Sequence, residues 1–303
     1  MGTERVVLDA TPNMAPMLAT SMARGAVRKV VGRRPTTLPD REVVLETAQD
    51  ASRLAAYAHV CGFGVRDRVP ATWIHVLAFP LQMVLMSAPD SPFALAGIVH
   101  VTNSMTLLRP VTVGERLRLS STYGPPREHR RGVLIDLIGE AYVGDELVWR
   151  GVSAYLARGA TLPGMLSEDQ PGGVHLPSDA EIDTDSVWRL PANLGRQYSA
   201  VSGDLNPIHT SALGGKAFGF PRAIVQGMWT HARVLAALEP RLPDAYRMDV
   251  RFTKPILLPS SVRFGARHDG DHWTAVVRPR SGEKAHLVAT ITRAVSGRSP
   301  GPS

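Results

Sequence analysis

Polar and apolar positions alternate most clearly at Tyr246–Phe252. Tyr246, Met248, Val250 and Phe252 are interleaved with Arg247, Asp249 and Arg251, a period of two that predicts a strand buried on one face. Two longer extended runs, Val133–Val143 and Glu146–Leu156, flank Gly144-Asp145 and predict a hairpin. Trp273–Arg278 and Lys284–Arg293 predict a second hairpin around Ser281-Gly282. Two stretches, Trp73–Ala88 and Gly227–Leu238, are apolar without alternation and predict helices. Each half of the chain therefore holds a long helix followed by antiparallel strands, an α+β arrangement.

The two halves also echo each other in sequence. Tyr57–Phe63 reads YAHVCGF and Tyr198–Asp204 reads YSAVSGD, 141 residues later. Leu107–Leu119 reads LLRPVTVGERLRL and Phe252–Phe264 reads FTKPILLPSSVRF, 145 residues later. Two pairs at nearly one offset predict a tandem duplication. The division that follows is an arm at 1–40, a first unit at 41–157, a linker at 158–185, a second unit at 186–295 and a tail at 296–303. The arm, with its scattered arginines and Arg33-Arg34-Pro35, is expected to dock loosely, and the linker is marked by Pro163-Gly164 and Pro171-Gly172-Gly173.

Composition narrows the class. The 303 residues are 44% hydrophobic and 20% charged, which suits a packed globular protein rather than a disordered one. A net charge of +7 favours acidic or phosphate-bearing partners without choosing among them. The lone Cys61 excludes an intramolecular disulfide and fits a reducing cytoplasm. His75, Pro80 and Gln82 interrupt the longest apolar run, which is shorter than the roughly 20 residues a membrane span needs. Arg127–Arg131 reads as the solvated end of a hairpin; with no aromatic platform interleaved, nucleic acid is not expected as a partner. His268 and His272 have metal-like spacing but no accompanying thiolates, and no metal site is expected.

The residues with the most chemistry lie in Tyr198–His209, YSAVSGDLNPIH. Pro207 removes an amide hydrogen and drives Asn206 away from helical conformation, so the segment bends rigidly. Such a bend can aim the Asp204 carboxylate and the His209 imidazole at one water and move its protons. Gly-Asp-x-Asn-Pro is equally ordinary turn chemistry, with Asp and Asn bonding local backbone. A second segment, Gly219–Trp229 (GFPRAIVQGMW), leads straight into the predicted helix at Gly227. A backbone N–H at that helix entrance could hold an oxyanion, or the glycine could merely permit tight packing.

Together these segments resemble the hydratase-2 motif of the MaoC-like (R)-specific enoyl-thioester hydratases. Residues 40 to 293 are similar to the double hot-dog 3-hydroxyacyl-thioester dehydratases of actinobacteria. The resemblance implies a double hot-dog fold, two repeats that each wrap an antiparallel sheet around a long helix. It implies Asp204 and His209 as the catalytic pair, with Asn206, Gln226 and Gly227 contacting substrate and the Gly227 amide as oxyanion donor. It also implies reversible hydration of trans-2-enoyl thioesters of coenzyme A or acyl carrier protein. No cofactor is required, because the thioester itself acidifies its C2 proton. One departure stands out, Gln226 where the family usually has His, since Gln bonds hydrogen but does not titrate. An acyl thioesterase and a non-catalytic acyl-binding protein are the alternatives on the same fold, and a homodimer is compatible with the sequence.

Aligning the halves puts Phe63 opposite Asp204 and, with a small gap, Phe79-Pro80 opposite Gln226-Gly227; His209 falls near Arg68. The first half is therefore expected to lack a site of its own. Phe63, Trp73, Phe79 and Met83 are its candidates to line an acyl pocket.

Overall fold

The computed structural model describes residues 2–21, 35–93, 95, 98–167, 182, 186–281 and 284–294. Much of the expected linker, the tail, and Gly282 of the second turn lie outside the described residues.

In the first half, α1 (residues 14–21) and α2 (Ala51–Cys61) precede a 17-residue helix α3 (Ala71–Ser87). Helix α3 is buried on nearly every side, with Trp73, Ile74, Ala78, Leu81 and Leu85 fully enclosed, so its sequence has no polar stripe. The strands are β1 (Glu4–Leu8), β2 (Arg41–Thr47), β3 (Ile98–Leu107), β4 (Leu117–Tyr123), β5 (Arg127–His129), β6 (Gly132–Val143) and β7 (Glu146–Arg158). The second half has β8 (Ser186–Leu190), α4 (Leu194–Ser202), the short α5 (Pro207–Thr210) and α6 (Ala212–Ala217), then α7 (Gly227–Leu238). Strands β9 (Tyr246–Phe252), β10 (Ser260–Asp269), β11 (His272–Pro279) and β12 (Leu287–Arg293) complete it.

The twelve strands among the described residues form one sheet in the order β1-β2-β4-β6-β7-β3-β9-β12-β11-β10-β8, with β5 on β6. The halves join where β3 runs antiparallel to β9. Ser104 pairs there with Asp249, 145 residues further on, so the offset of the sequence echo is the offset of the joint. Tyr57 and Tyr198, equivalent in the other echo, also meet, with ring centroids 6.2 Å apart. Two hydrogen bonds tie the halves nearby: Arg53 Nε donates to the Val201 carbonyl at 2.9 Å, and Trp229 Nε1 to the Val60 carbonyl at 2.9 Å. One hydrophobic core runs through both halves, from Trp73 and Leu81 to Leu235 and Ile291.

The fold is the double hot-dog expected from the resemblance, and α7 and β9 have the expected bounds. Two expectations change. Helices α2 and α4 were not individually visible in the polarity pattern. The stretch expected to be a loosely docked arm is tied down: β1 pairs in parallel with β2, Glu4 opposite Arg41 through Leu8 opposite Leu45. Arg41 holds both Glu4 (2.8 Å) and Asp90 (2.9 Å). Residues 22–34, including Arg33 and Arg34, lie outside the described residues.

Candidate active site

Helix α4 stops at Gly203, whose φ of 80° is left-handed and suits glycine. The chain leaves the helix axis and Asp204 emerges, its N–H donating to Ser202 Oγ at 3.2 Å. Asp204 Oδ1 then accepts the Asn206 N–H at 3.2 Å, and Asn206 Oδ1 accepts the Ile208 N–H at 3.3 Å. Asn206 thereby caps α5, with Pro207 at its first position. Both readings of the Asp-x-Asn-Pro segment hold at once: the local turn bonds exist, and they leave Asp204 Oδ2 free to face His209.

His209 lies on α5. Its Nδ1 is 2.8 Å from the Ile224 carbonyl, which can only accept, so Nδ1 carries the proton and donates. Of the two neutral tautomers, this bond selects the one with its lone pair on Nε2. Nε2 stands 3.6 Å from Asp204 Oδ2, close enough for one water to touch both. Gly195 on α4 allows this: a Cβ there would fall 2.0 Å from the His209 carbonyl oxygen.

Gln226 is the residue before α7 and is 2% exposed. Its Nε2 donates to the Gly195 carbonyl at 3.2 Å and to Ser199 Oγ at 3.0 Å. Its side-chain amide protons are thus spent on α4, while Oε1 has no partner. Gly227 is the first residue of α7, and an N–H there has no acceptor within its helix.

Asp204, Asn206, His209, Gln226 and Gly227 all line one cavity of about 560 Å³, within the range of small-ligand pockets. The first half supplies the opposite wall. Phe79 and Met83 line it as expected, but Phe63 and Trp73 do not. Trp73 is wholly buried and donates from Nε1 to Gln49 Oε1 at 3.1 Å, and Phe63 stacks on Tyr57. Residues that the sequence did not single out also reach the cavity: Met14 and Met17 from α1, His75, His100 and Tyr155. Tyr155 shares the cavity with the pair, and burial, then the Asp204 carboxylate, push its phenol above its ordinary pKa. Nothing in the local sequence marks these residues, because each is brought in by tertiary packing.

The first half repeats the frame without the chemistry. Gly62 ends α2 with φ 80°, as Gly203 ends α4, and Phe63 follows where Asp204 follows. The helix entrance is Pro70-Ala71, however, not the expected Phe79-Pro80; Pro80 lies inside α3. The alignment slipped because the connections differ in length: Ala71 follows Gly62 by 9 positions, whereas Gly227 follows Gly203 by 24. The shorter connection has no counterpart of α5 and α6. Among the described residues no group of three or more His, Cys, Asp or Glu is placed to hold a metal ion.

Comparison with known proteins bears on the family and the fold. The MaoC like domain family matches residues 180–290. A curated Mycobacterium tuberculosis protein, "3-hydroxyacyl-thioester dehydratase X", is 38% identical over 260 residues, covering 85% of this chain and 91% of its own. The crystal structure of HtdX of M. tuberculosis superposes with a TM-score of 0.73 at 36% identity, over 84% of this chain and all (100%) of that one. A MaoC-like dehydratase of Phytophthora capsici shares the fold, with a TM-score of 0.70 at 18% identity over 88% of this chain and 99% of its own.

Proposed function

We infer the reaction from one premise: the chain belongs to the MaoC-like dehydratase family. It is a hydro-lyase that interconverts trans-2-enoyl and (R)-3-hydroxyacyl thioesters. The observation that carries the reading is the pair itself. His209 is held by the Ile224 carbonyl in the form that presents Nε2 to Asp204 Oδ2 at 3.6 Å, on a cavity shared with the Gly227 amide.

In hydration, Asp204 and His209 grip one water. As its oxygen bonds to C3, the C2=C3 electron pair moves towards the thioester carbonyl and the water's proton passes to the pair. The Gly227 N–H, at the positive end of α7, meets the charge growing on the carbonyl oxygen. The pair then returns a proton to C2, so atoms and charge balance. Dehydration is the reverse. Asn206 acts by position, since its backbone N–H holds Asp204 Oδ1. Gln226 braces the helix entrance against α4.

We assign the chemistry to residues 186–295 and the acyl wall to 41–157. The carrier is coenzyme A or acyl carrier protein, in keeping with a net charge of +7. We propose a cytoplasmic setting, which suits the one cysteine, Cys61, buried and unpaired. Among the described residues no helix is long and apolar enough to cross a membrane.

Crotonyl-CoA tests the reading. Hydration removes the enoyl absorbance and leaves the thiol esterified. Release of free thiol with the double bond intact would make the protein a thioesterase, and binding with neither change would make it an acyl-binding protein.

A further inference from the structure

The cavity is bounded in part by a helix that belongs to neither hot-dog unit. Helix α1 is eight residues long, and a helix that short does not hold in water without a surface to pack on. Met14, Met17 and Leu18 recur at helical spacing, are half-buried and line the cavity, whereas Ala15, Pro16, Ala19 and Thr20 are exposed. The surface under α1 is thus the cavity and the core beside it, against which Met14 and Met17 pack. Its first turn reaches the catalytic segment: a Cβ on Gly203, the residue before Asp204, would meet Met14 Cγ at 3.9 Å. Met83 and Met86 of α3, with Leu95 and Ile98, line the same cavity. Five of the chain's ten methionines, Met228 included, therefore border one space.

We propose that α1 sets the length of acyl chain the enzyme takes: the far end of an unbranched, apolar chain packs against Met17 and Leu18. This assignment rests on the acyl-thioester reading for what enters the cavity. With the reacting carbons held at Asp204 and His209, the chain beyond C3 needs an apolar surface, and a phosphate-bearing carrier needs a polar one. The lining residues divide in that way. Arg158, Lys254 and His286 lie at or beside the ends of β7, β9 and β12, whereas α1 and the last turns of α3 contribute only apolar side chains. Methionine suits a surface that must meet chain ends of more than one length, because its unbranched thioether turns about three bonds and fills irregular gaps. A wall of rings or branched side chains would fit one shape. The length limit is then set outside both repeats, by an arm that the β1–β2 pairing ties to the first unit.

Thioethers of coenzyme A, from S-butyl to S-dodecyl, probe the wall alone, because they can be neither hydrated nor hydrolysed. Calorimetry on the full chain should show affinity rising about fourfold per added CH₂ until the chain reaches α1, and a plateau beyond it. Met17→Ala leaves space at the chain end, so the plateau should begin about two carbons later. Leu18→Trp fills that space, and the plateau should begin about two carbons earlier. Ala19→Trp, on the exposed face of α1, should keep the wild-type plateau. Should Met17→Ala or Leu18→Trp fail to fold, the other decides. An affinity independent of length in the wild type would overturn the proposal, as would an unmoved plateau in the folded variants. So would a loss equal at every length, which would put α1 beside the carrier or in packing alone, and so would the same shift in Ala19→Trp. Absence of crotonyl-CoA hydration with this length dependence intact would end the hydratase reading instead and leave the role of α1 standing.

Discussion

Two buried imidazoles make acid stability a quantitative test of the packing. His75 and His231 occupy the same place on the two long helices, the fifth residue of α3 and of α7, and are 3% and 0% exposed. Burial lowers His75 to about 4 and His231 to about 3, and the His75 charge adds to the effect on His231. In the unfolded chain both titrate near the ordinary value of about 6.5. Between the folded and unfolded values the unfolded state binds more protons, so stability falls as pH falls from about 6.5. The loss levels off only once the folded rings also protonate, near 4 for His75 and near 3 for His231. At about 1.36 kcal/mol per pH unit, each ring removes about 2 kcal/mol between pH 7 and 5, and the two about 4 kcal/mol. That is a large share of the 5–15 kcal/mol typical of a folded protein. Urea unfolding followed by circular dichroism at pH 7 and pH 5 gives the wild-type loss, to which carboxylates also contribute. His231→Leu isolates one ring: its loss between the two pH values should be smaller by about 2 kcal/mol. Equal losses in wild type and His231→Leu would refute the reasoning, and so would an ordinary titration of these rings by NMR in the folded protein.

Three further outcomes follow from the site. Asp204→Asn and His209→Ala should each slow crotonyl-CoA hydration by about 10²–10⁴ with folding intact, and together by far less than the product; near-normal turnover in folded Asp204→Asn would end the proposed mechanism. Gly227→Ala places a Cβ 3.0 Å from two carbons of Phe252, so steady-state kinetics should show a larger loss of turnover than in Gln226→Ala. Gln226→Ala should instead lower the unfolding free energy by about 1–2 kcal/mol, as the Gly195 carbonyl and Ser199 lose their donor. Met17→Glu puts a charge on the α1 wall of the cavity, and kcat/KM for trans-2-octenoyl-CoA should fall more than tenfold further than that for crotonyl-CoA.

What the sequence made legible was whatever depends on nearest neighbours in the chain. The period of two over Tyr246–Phe252 reports a strand with one face in the core, and Tyr246, Met248 and Val250 are buried there. Phe252 escapes full burial because its ring is part of the cavity wall, which the alternation could not signal. The Asp204–His209 segment was legible because its turn bonds are all within a few residues. The acceptor that orients His209 is the Ile224 carbonyl, 15 residues on, and only the folded chain reveals it. The partners of Gln226 were hidden for a related reason: its amide protons are taken by Ser199 and Gly195 of α4, 27 and 31 residues back.

The duplication accounts for the proposed division of labour, one site in two copies of one fold. Each copy supplies a helix ending in a left-handed glycine, a long buried helix and a sheet, and the β3–β9 joint sets the two helices against each other. A catalytic pair needs, besides this frame, a length of chain that can leave the first helix, turn twice and return to the second. The second half has that length between Gly203 and Gly227 and uses it for the Asn206 cap, α5 and the strand-like approach of Ile224. Nine positions from Gly62 to Ala71 cannot hold the same turns, and Phe63 stacks on Tyr57 instead. Freed from holding a reacting group, the first half is free to differ along α3 and β3, where Phe79, Met83, His75 and His100 face the cavity. Phe63→Asp would therefore not create a second site, because the connection from Gly62 to Ala71 has no segment to carry a histidine.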